Sequence, residues 1–464
     1  MTQPRRSDGP NLTKQEPAAV VDENDPLVRS AVRRSVRRLV PFVALLYFVN
    51  YLDRTNIGFA GPNGMNDDLH LTGSMFGFAS GIFFLGYLVL EVPSNMALHK
   101  FGARRWIARI LVTWGIVAAA ITFVPNAGSL YVLRFLLGVA EAGFFPGIVL
   151  YLTFWFPQRE RARMTALFMV AVPLSTAIGT PLSSLLIEHA HGWLGLEGWR
   201  VMFLLEGVPA VILGAVTWFF LTDRPENAAW LPPAERDALQ RVLDAEDRSR
   251  SRTYQVSILQ SLTRPRVWAL AFVYFGVVYG LYALGFFLPT IIAGFADQYG
   301  ADYSIVQRGL INAVPYVIGA LVMIPWALHG DRTRERVWHV AGPSIVGGIA
   351  IPITLYLGSP FAAMVAVTVC AVGIMCALPT FWALPTNFLS GAAAASGIAL
   401  INAVGNSAGF FAPYFTGWLK DGTGTEKTGL WLVGIVMVLG GLLAVLMRAA
   451  PPPKDENMAE VITR

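Results

Sequence analysis

"PFVALLYFVNYLDRTNIGFA", residues 41–60, is apolar enough to cross a bilayer, yet it carries Asp53 and Arg54 side by side. A helix needs about 20 such residues to span about 30 Å of hydrocarbon. Charged side chains at that depth oppose insertion, so a purely structural span discards them. The stretch therefore predicts two things: a membrane helix, and a reason to keep charge inside it.

The rest of the 464-residue chain follows suit. It is 55% hydrophobic and 14% charged, with a mean hydropathy of +0.53, where a soluble domain carries about 25% charged residues. Apolar runs recur at roughly 40–60, 75–98, 106–124, 130–151, 164–187, 201–221, 267–293, 308–328, 338–357, 361–384, 394–418 and 429–448. The expected fold class is an all-α polytopic membrane protein of twelve transmembrane helices in two six-helix halves. The boundaries read as a tail over 1–39, a bundle over 40–221, a central loop over 222–266, a second bundle over 267–448 and a tail over 449–464. Inside the loop, "LPPAERDALQRVLDAEDRSRSR" predicts a short amphipathic surface helix starting near the proline pair and then a basic, disordered link. "ALHKFGARRW" after the second run and "ALHGDRTRERVW" after the eighth hint at a duplicated unit.

Charge gives the orientation. Of the 35 lysines and arginines, 28 fall on the side holding both termini and four on the other, Arg200, Arg308, Lys420 and Lys427. The positive-inside bias predicts cytoplasmic termini in a cell inner membrane. It also explains the pI near 9.2 without nucleic acid. Cys370 and Cys376 share one apolar run and read as small membrane residues, neither a disulfide nor a metal site. No cleavable signal peptide is visible, since residues 1–38 are polar and the first apolar run is too long. No cofactor is expected: there is no phosphate-binding glycine loop with its lysine, no HExxH metal pair and no nucleophile elbow.

Asp53, Arg54, Arg134 and Glu141 lie inside spans of the first half and, unpaired, oppose insertion by roughly 10–14 kcal/mol. Asp53 falls about 18 Å along the first span and Glu141 about 16 Å along the fourth, both near the midplane. Arg134 and Glu141, two turns apart, share a face, and Tyr87 lies at similar depth. Either these groups form a buried salt-bridge cluster that only locks helices together, or, as expected here, they meet in one central cavity, where Arg54 can grip a carboxylate through two parallel hydrogen bonds. A carboxyl group beside that arginine can bind and release a proton as the arginine is emptied and filled by substrate. Glu91 and Arg109, nearer the span ends, read as a structural ion pair or as snorkelling charges. Glu206, near the start of the sixth span, is weighed as a group without a direct role. In the second half, Tyr274, Tyr279 and Tyr282 lie in the seventh span, Trp382 in the tenth, and Asn402 and Asn406 on one face of the eleventh. Of these, Tyr279, Trp382, Asn402 and Asn406 are taken to face the ligand. In "RFLLGVAEAGFFPG", small residues four apart permit close helix approach and Pro146 predicts a bend.

With "YLDRTNIGFA", "RFLLGVAEAGFFPG", "FWALPTNFLSG" and "INAVGNSAGFFAP" on the page, the chain resembles the anion:cation symporter branch of the major facilitator superfamily, which includes bacterial tartrate, phthalate and hydroxyphenylacetate permeases. The resemblance covers about residues 40–448. It implies Asp53 and Glu141 in proton coupling, Arg54 on the substrate carboxylate, and Arg134, Tyr87 and Asn402 in the cavity wall. The implied partners are a small organic anion, protons and the bilayer, with the chain acting as a monomer. The superfamily's gating loop maps to Lys100 and Arg104 in the first half and to Asp331, Arg332 and Arg336 in the second. The first half departs from the pattern, with Asn95 and His99 where a Gly and an Asp are usual. His99 and His329 are read as solvated at headgroup level. The competing functions are a metabolite or drug exporter and, more remotely, a membrane-embedded receptor or enzyme. Span five, "VPLSTAIGTPLSSLL", matches the antiporter Gly-Pro pattern only loosely, which weighs against export.

Overall fold

A computed structural model of the chain describes residues 25–251, 265–382, 384–385, 392–425 and 427–449. Among them every regular element is helical. Eleven helices are long and apolar enough to cross a membrane. The remaining expected span, at 394–418, lies within the 32-residue helix Ala392–Thr423. The fold is two six-helix halves.

The halves repeat one packing scheme. In the first, the first span packs on the fifth, the second on the fourth and the third on the sixth. In the second, the seventh packs on the eleventh, the eighth on the tenth and the ninth on the twelfth. Glycines mark equivalent places. A methyl group on Gly115 of the third span would lie 2.8 Å from the Gly207 carbonyl oxygen of the sixth, and one on Gly348 of the ninth 2.8 Å from the Gly434 carbonyl of the twelfth. Without a Cβ the backbones approach, and van der Waals packing replaces the hydrophobic drive that lipid cannot supply. Between the halves, the second span meets the eleventh, the fifth the eighth and the first the seventh.

Three local features depart from expectation. The first helix starts at Pro26, capped by the Asp25 side chain, well before the apolar run. Its extension docks on the predicted surface helix, found at Pro233–Ser251, through Val28, Ala31, Leu239 and Val242. The Ser30 hydroxyl donates to Glu235 at 2.9 Å and Arg34 pairs with the same carboxylate at 3.1 Å, so this part of the polar tail is ordered structure. The basic link that follows lies largely outside the described residues. Finally, the fourth span is broken. Helix Ala127–Glu141 stops and Phe144–Trp155 begins after Ala142 (ψ 133°) and Gly143 (φ +82°). The break sits at Gly143, where a left-handed turn suits a residue without Cβ, and not at Pro146, which falls in the first turn of the new helix where proline is tolerated.

Candidate functional site

The broken fourth span puts Glu141 at the last turn of a half-helix, deep in the protein. Irregular backbone at membrane depth persists only where protein buries it or a cavity receives it. Here Ser94 of the second span packs under Gly143, where a Cβ would collide with its hydroxyl, and Trp106 Nε1 donates to that hydroxyl at 2.9 Å.

Opposite Glu141 stands Arg54. Its Nε donates to Glu141 Oε1 at 3.1 Å, and its Nη2 donates to the same oxygen. The pair is buried, with Arg54 7% exposed and Glu141 fully covered. Glu141 Oε2 has no hydrogen-bond partner. The guanidinium lies over the rings of Phe83 and Tyr87, at 5.3 and 5.1 Å, a cation–π cradle built by the second span. Its Nη1 reaches 3.4 Å to the Tyr282 hydroxyl on the seventh span. Arg54 thus touches both halves.

Asp53 faces elsewhere. Neighbours on a helix point about 100° apart, so adjacent residues cannot serve one partner. Trp114 Nε1 of the third span donates to Asp53 Oδ2 at 2.6 Å, inside the first bundle. The expected single cluster is therefore two centres on different faces of the first span. Arg134 joins neither by hydrogen bond. Its Nε and Nη2 donate to the carbonyls of Ala79 and Ser80, at 3.2 and 3.4 Å, fastening the fourth span to the second.

The second-half candidates divide likewise. Tyr282 supplies the contact to Arg54, whereas Tyr279 is buried beside Phe275, 5.7 Å between rings, with its hydroxyl unpartnered. Trp382 packs at 4.9 Å on Tyr274. Asn402 Nδ2 donates to Glu91 Oε1 at 3.3 Å across the interface of the halves, so Glu91 has an amide partner where an ion pair or snorkelling was expected. Asn406, one turn further, is half-buried.

The loops expected to gate make contacts of their own. Asp223, just after the sixth span, accepts from the Arg104 backbone N–H at 2.7 Å and sits against Gly102, supplying the carboxylate that the second-to-third loop lacks. Lys100 lies over the Phe101 ring. In the second half, the Asp331 side chain lies outside the described residues, Arg332 is exposed and Arg336 precedes helix Val337–Ile353. His329 is not simply solvated, since its Nδ1 lies 2.8 Å from Nε2 of the buried His339. A surface cavity of about 360 Å³ lined by Arg29, Arg33, Arg159 and Arg163 opens far from Arg54. The candidate site is taken at Arg54, where a buried ion pair of the first half also meets Tyr282 of the second.

Sequence alone could have found part of what it missed. Asn56 lies three residues from Asp53 and hence on its face. Trp114 and Ser183 give no such signal, because only the tertiary fold brings their spans to the carboxylates.

The sequence profile of the Major Facilitator Superfamily matches residues 43–413. A protein of Agrobacterium vitis described as "Putative tartrate transporter" is 48% identical over 94% of this chain and 99% of its own. A "Quinolone resistance transporter" of Acinetobacter baumannii is 37% identical over 91% and 95%. Among solved structures, the xylose transporter XylE from E. coli superposes with a TM-score of 0.66 at 14% identity, over 89% of this chain and 99% of that one. The chain belongs to the Major Facilitator Superfamily. It is a multi-pass membrane transporter and not an enzyme.

Proposed function

We propose that this protein imports a small organic anion by proton symport through alternating access, with both termini in the cytoplasm of the inner membrane and bundles bounded at 40–221 and 267–448. The observation that carries the reading is the buried Arg54–Glu141 pair at the junction of the halves. A guanidinium offers two parallel donors to a carboxylate. In this structure Glu141 occupies them. A proton on Glu141 removes its charge and frees Arg54 for the carboxylate of a solute, so proton and anion enter together. Tyr282 then completes the grip from the second half, which ties occupancy to the relative position of the bundles. Tyr87, Asn402 and Asn406 line the same seam, and Arg134 holds its walls. The tartrate-transporter relative supports a hydroxy-dicarboxylate as first substrate to try.

The test is uptake of radiolabelled L-tartrate and a panel of aromatic and sugar acids into proteoliposomes under an imposed pH gradient. Accumulation that collapses with a protonophore is expected. A second reading, export, draws on the quinolone-resistance relative. Efflux of a lipophilic quinolone, unaffected by Arg54 substitution, would favour it.

A further inference from the structure

We infer that Asp53 and Glu206 form a single proton-binding dyad inside the first bundle, separate from the Arg54–Glu141 pair, with Glu206 as an unassigned member of the coupling machinery. The inference deepens the symport reading and rests on it for its role in transport, but not for the existence of the site.

Asp53 is 1% exposed and Glu206 2%. The Asn56 amide lies between them, with Nδ2 at 3.0 Å from Glu206 Oε2 and 3.5 Å from Asp53 Oδ1. Trp114 Nε1 donates to the other Asp53 oxygen, and the Ser183 hydroxyl donates to Glu206 Oε1 at 2.6 Å. Four helices thus converge on two carboxyl groups. Among the described residues no lysine or arginine forms an ion pair with either. The charged groups facing the dyad are Arg134 and Glu141 from the fourth span, neither bonded to it, while Arg54 of the first span turns to Glu141.

Two buried carboxylates bridged by one amide do not both ionise, since burial penalises each charge and each charge raises the cost of the other. One proton relieves the repulsion and leaves one negative charge for two groups. A second observation points to that proton. Among the described residues, all four carboxyl oxygens are met only by uncharged donors, Trp114 Nε1 and Asn56 Nδ2 on Asp53, and Asn56 Nδ2 and the Ser183 hydroxyl on Glu206. Buried carboxyl groups without a cation against them take up a proton and shed their charge. The ligand is a proton and not a metal cation. A hard cation asks for about six oxygen ligands, whereas here N–H and O–H hydrogens of Trp114, Asn56 and Ser183 already point at the carboxyl oxygens.

The experiment is infrared difference spectroscopy of the purified, substrate-free full chain across a pH titration, following the C=O stretch of protonated carboxyl groups. The wild type is expected to keep such a band at neutral pH, and both Glu206→Gln and Asp53→Asn are expected to lose it. Ser183→Ala, a milder change, removes a donor to the ionised form and should move the band's midpoint to higher pH. A band that survives in both amide variants overturns the dyad, as does a wild type with no band. Loss of the band on adding Na⁺ at constant pH overturns the proton assignment in favour of a sodium site. In proteoliposomes, Glu206→Gln should retain tartrate counterflow while losing accumulation driven by a pH gradient. Should tartrate not be carried at all, the infrared result still decides the dyad while the symport reading fails on its own.

Discussion

Asp421, at the end of the eleventh span, caps the second span of the opposite half: its carboxylate accepts from the backbone N–H groups of Gly73 and Ser74, each at 2.8 Å, and from the Ser74 hydroxyl. Glu188, at the end of the fifth span, does the same for the eighth, accepting from the Val306 N–H at 2.8 Å. The two contacts occupy equivalent places in the duplicated fold, and each sets a carboxylate against the positive end of a helix dipole. Together they latch the face opposite the termini. Losing one helix cap costs about 1 kcal/mol, which moves a two-state equilibrium about fivefold. Asp421→Asn with Glu188→Gln should widen the distance between spin labels placed on that face; an unchanged distance distribution would count against the latch.

Acid should not open that latch in the physiological range. Burial pushes the Asp421 carboxyl up, but hydrogen bonds from Ser74, Thr72 and Gly73 outweigh it and hold the group below its usual 3.8. A depressed carboxylate contributes its stability above the ordinary value and loses it only as pH falls through the lower one. The label distance is therefore expected to stay constant between about pH 8 and pH 5 in the wild type, whereas transport, set by groups within the membrane, varies. A distance that changes in step with transport over that window would assign the pH response to the latch.

Gly417 offers a steric version of the same experiment. A methyl group there runs into the Gly73 backbone and lies 3.1 Å from the Ser74 nitrogen. Backbone cannot yield as a side chain can, so Gly417→Ala should pry the second and eleventh spans apart. Cysteine-labelling rates for residues on the opposing face should rise, with folding and membrane insertion retained.

Arg54→Lys tests the grip. An ammonium keeps the charge but not the planar fork, and it leaves the aromatic cradle of Phe83 and Tyr87 poorly filled. Disturbing a buried pair by removing a partner costs about 3–5 kcal/mol; with charge retained, a loss of about tenfold to a hundredfold in uptake is expected. Near-normal uptake at low substrate concentration would remove Arg54 from the binding role.

Glu141→Gln separates exchange from accumulation. The amide cannot cycle a proton, yet it fills the same space beside Arg54. Counterflow of substrate should persist while accumulation against a gradient disappears, and proton-driven accumulation at the wild-type level would exclude Glu141 from coupling.

Tyr282→Phe removes only the hydroxyl that reaches Arg54 from the other half. A contact of 3.4 Å is long for a hydrogen bond, so the expected cost is at the low end of about 0.5–1.5 kcal/mol, a few-fold rise in the half-saturating substrate concentration. Tyr279→Phe, away from the guanidinium, serves as the comparison and should leave that constant unchanged.

Much of this molecule was written in the order of its residues. Twelve apolar runs, the repeated loop after spans two and eight, and the retention of Arg54 and Glu141 in the hydrocarbon follow from solvation alone: a span must satisfy its own backbone, and charge at that depth is discarded unless used. What the sequence could not decide was which charge meets which. Asp53 and Arg54 are neighbours in the chain, but the helix turns them to different faces, one toward Trp114 and, through Asn56, Glu206, the other toward Glu141 of the same bundle and Tyr282 of the second. Partners 61, 87 or 228 residues away are set by how spans pack, and packing depends on shape summed over many small contacts, which no local pattern encodes. The periodicity of a span reveals its faces; only the assembled bundle determines what each face looks upon.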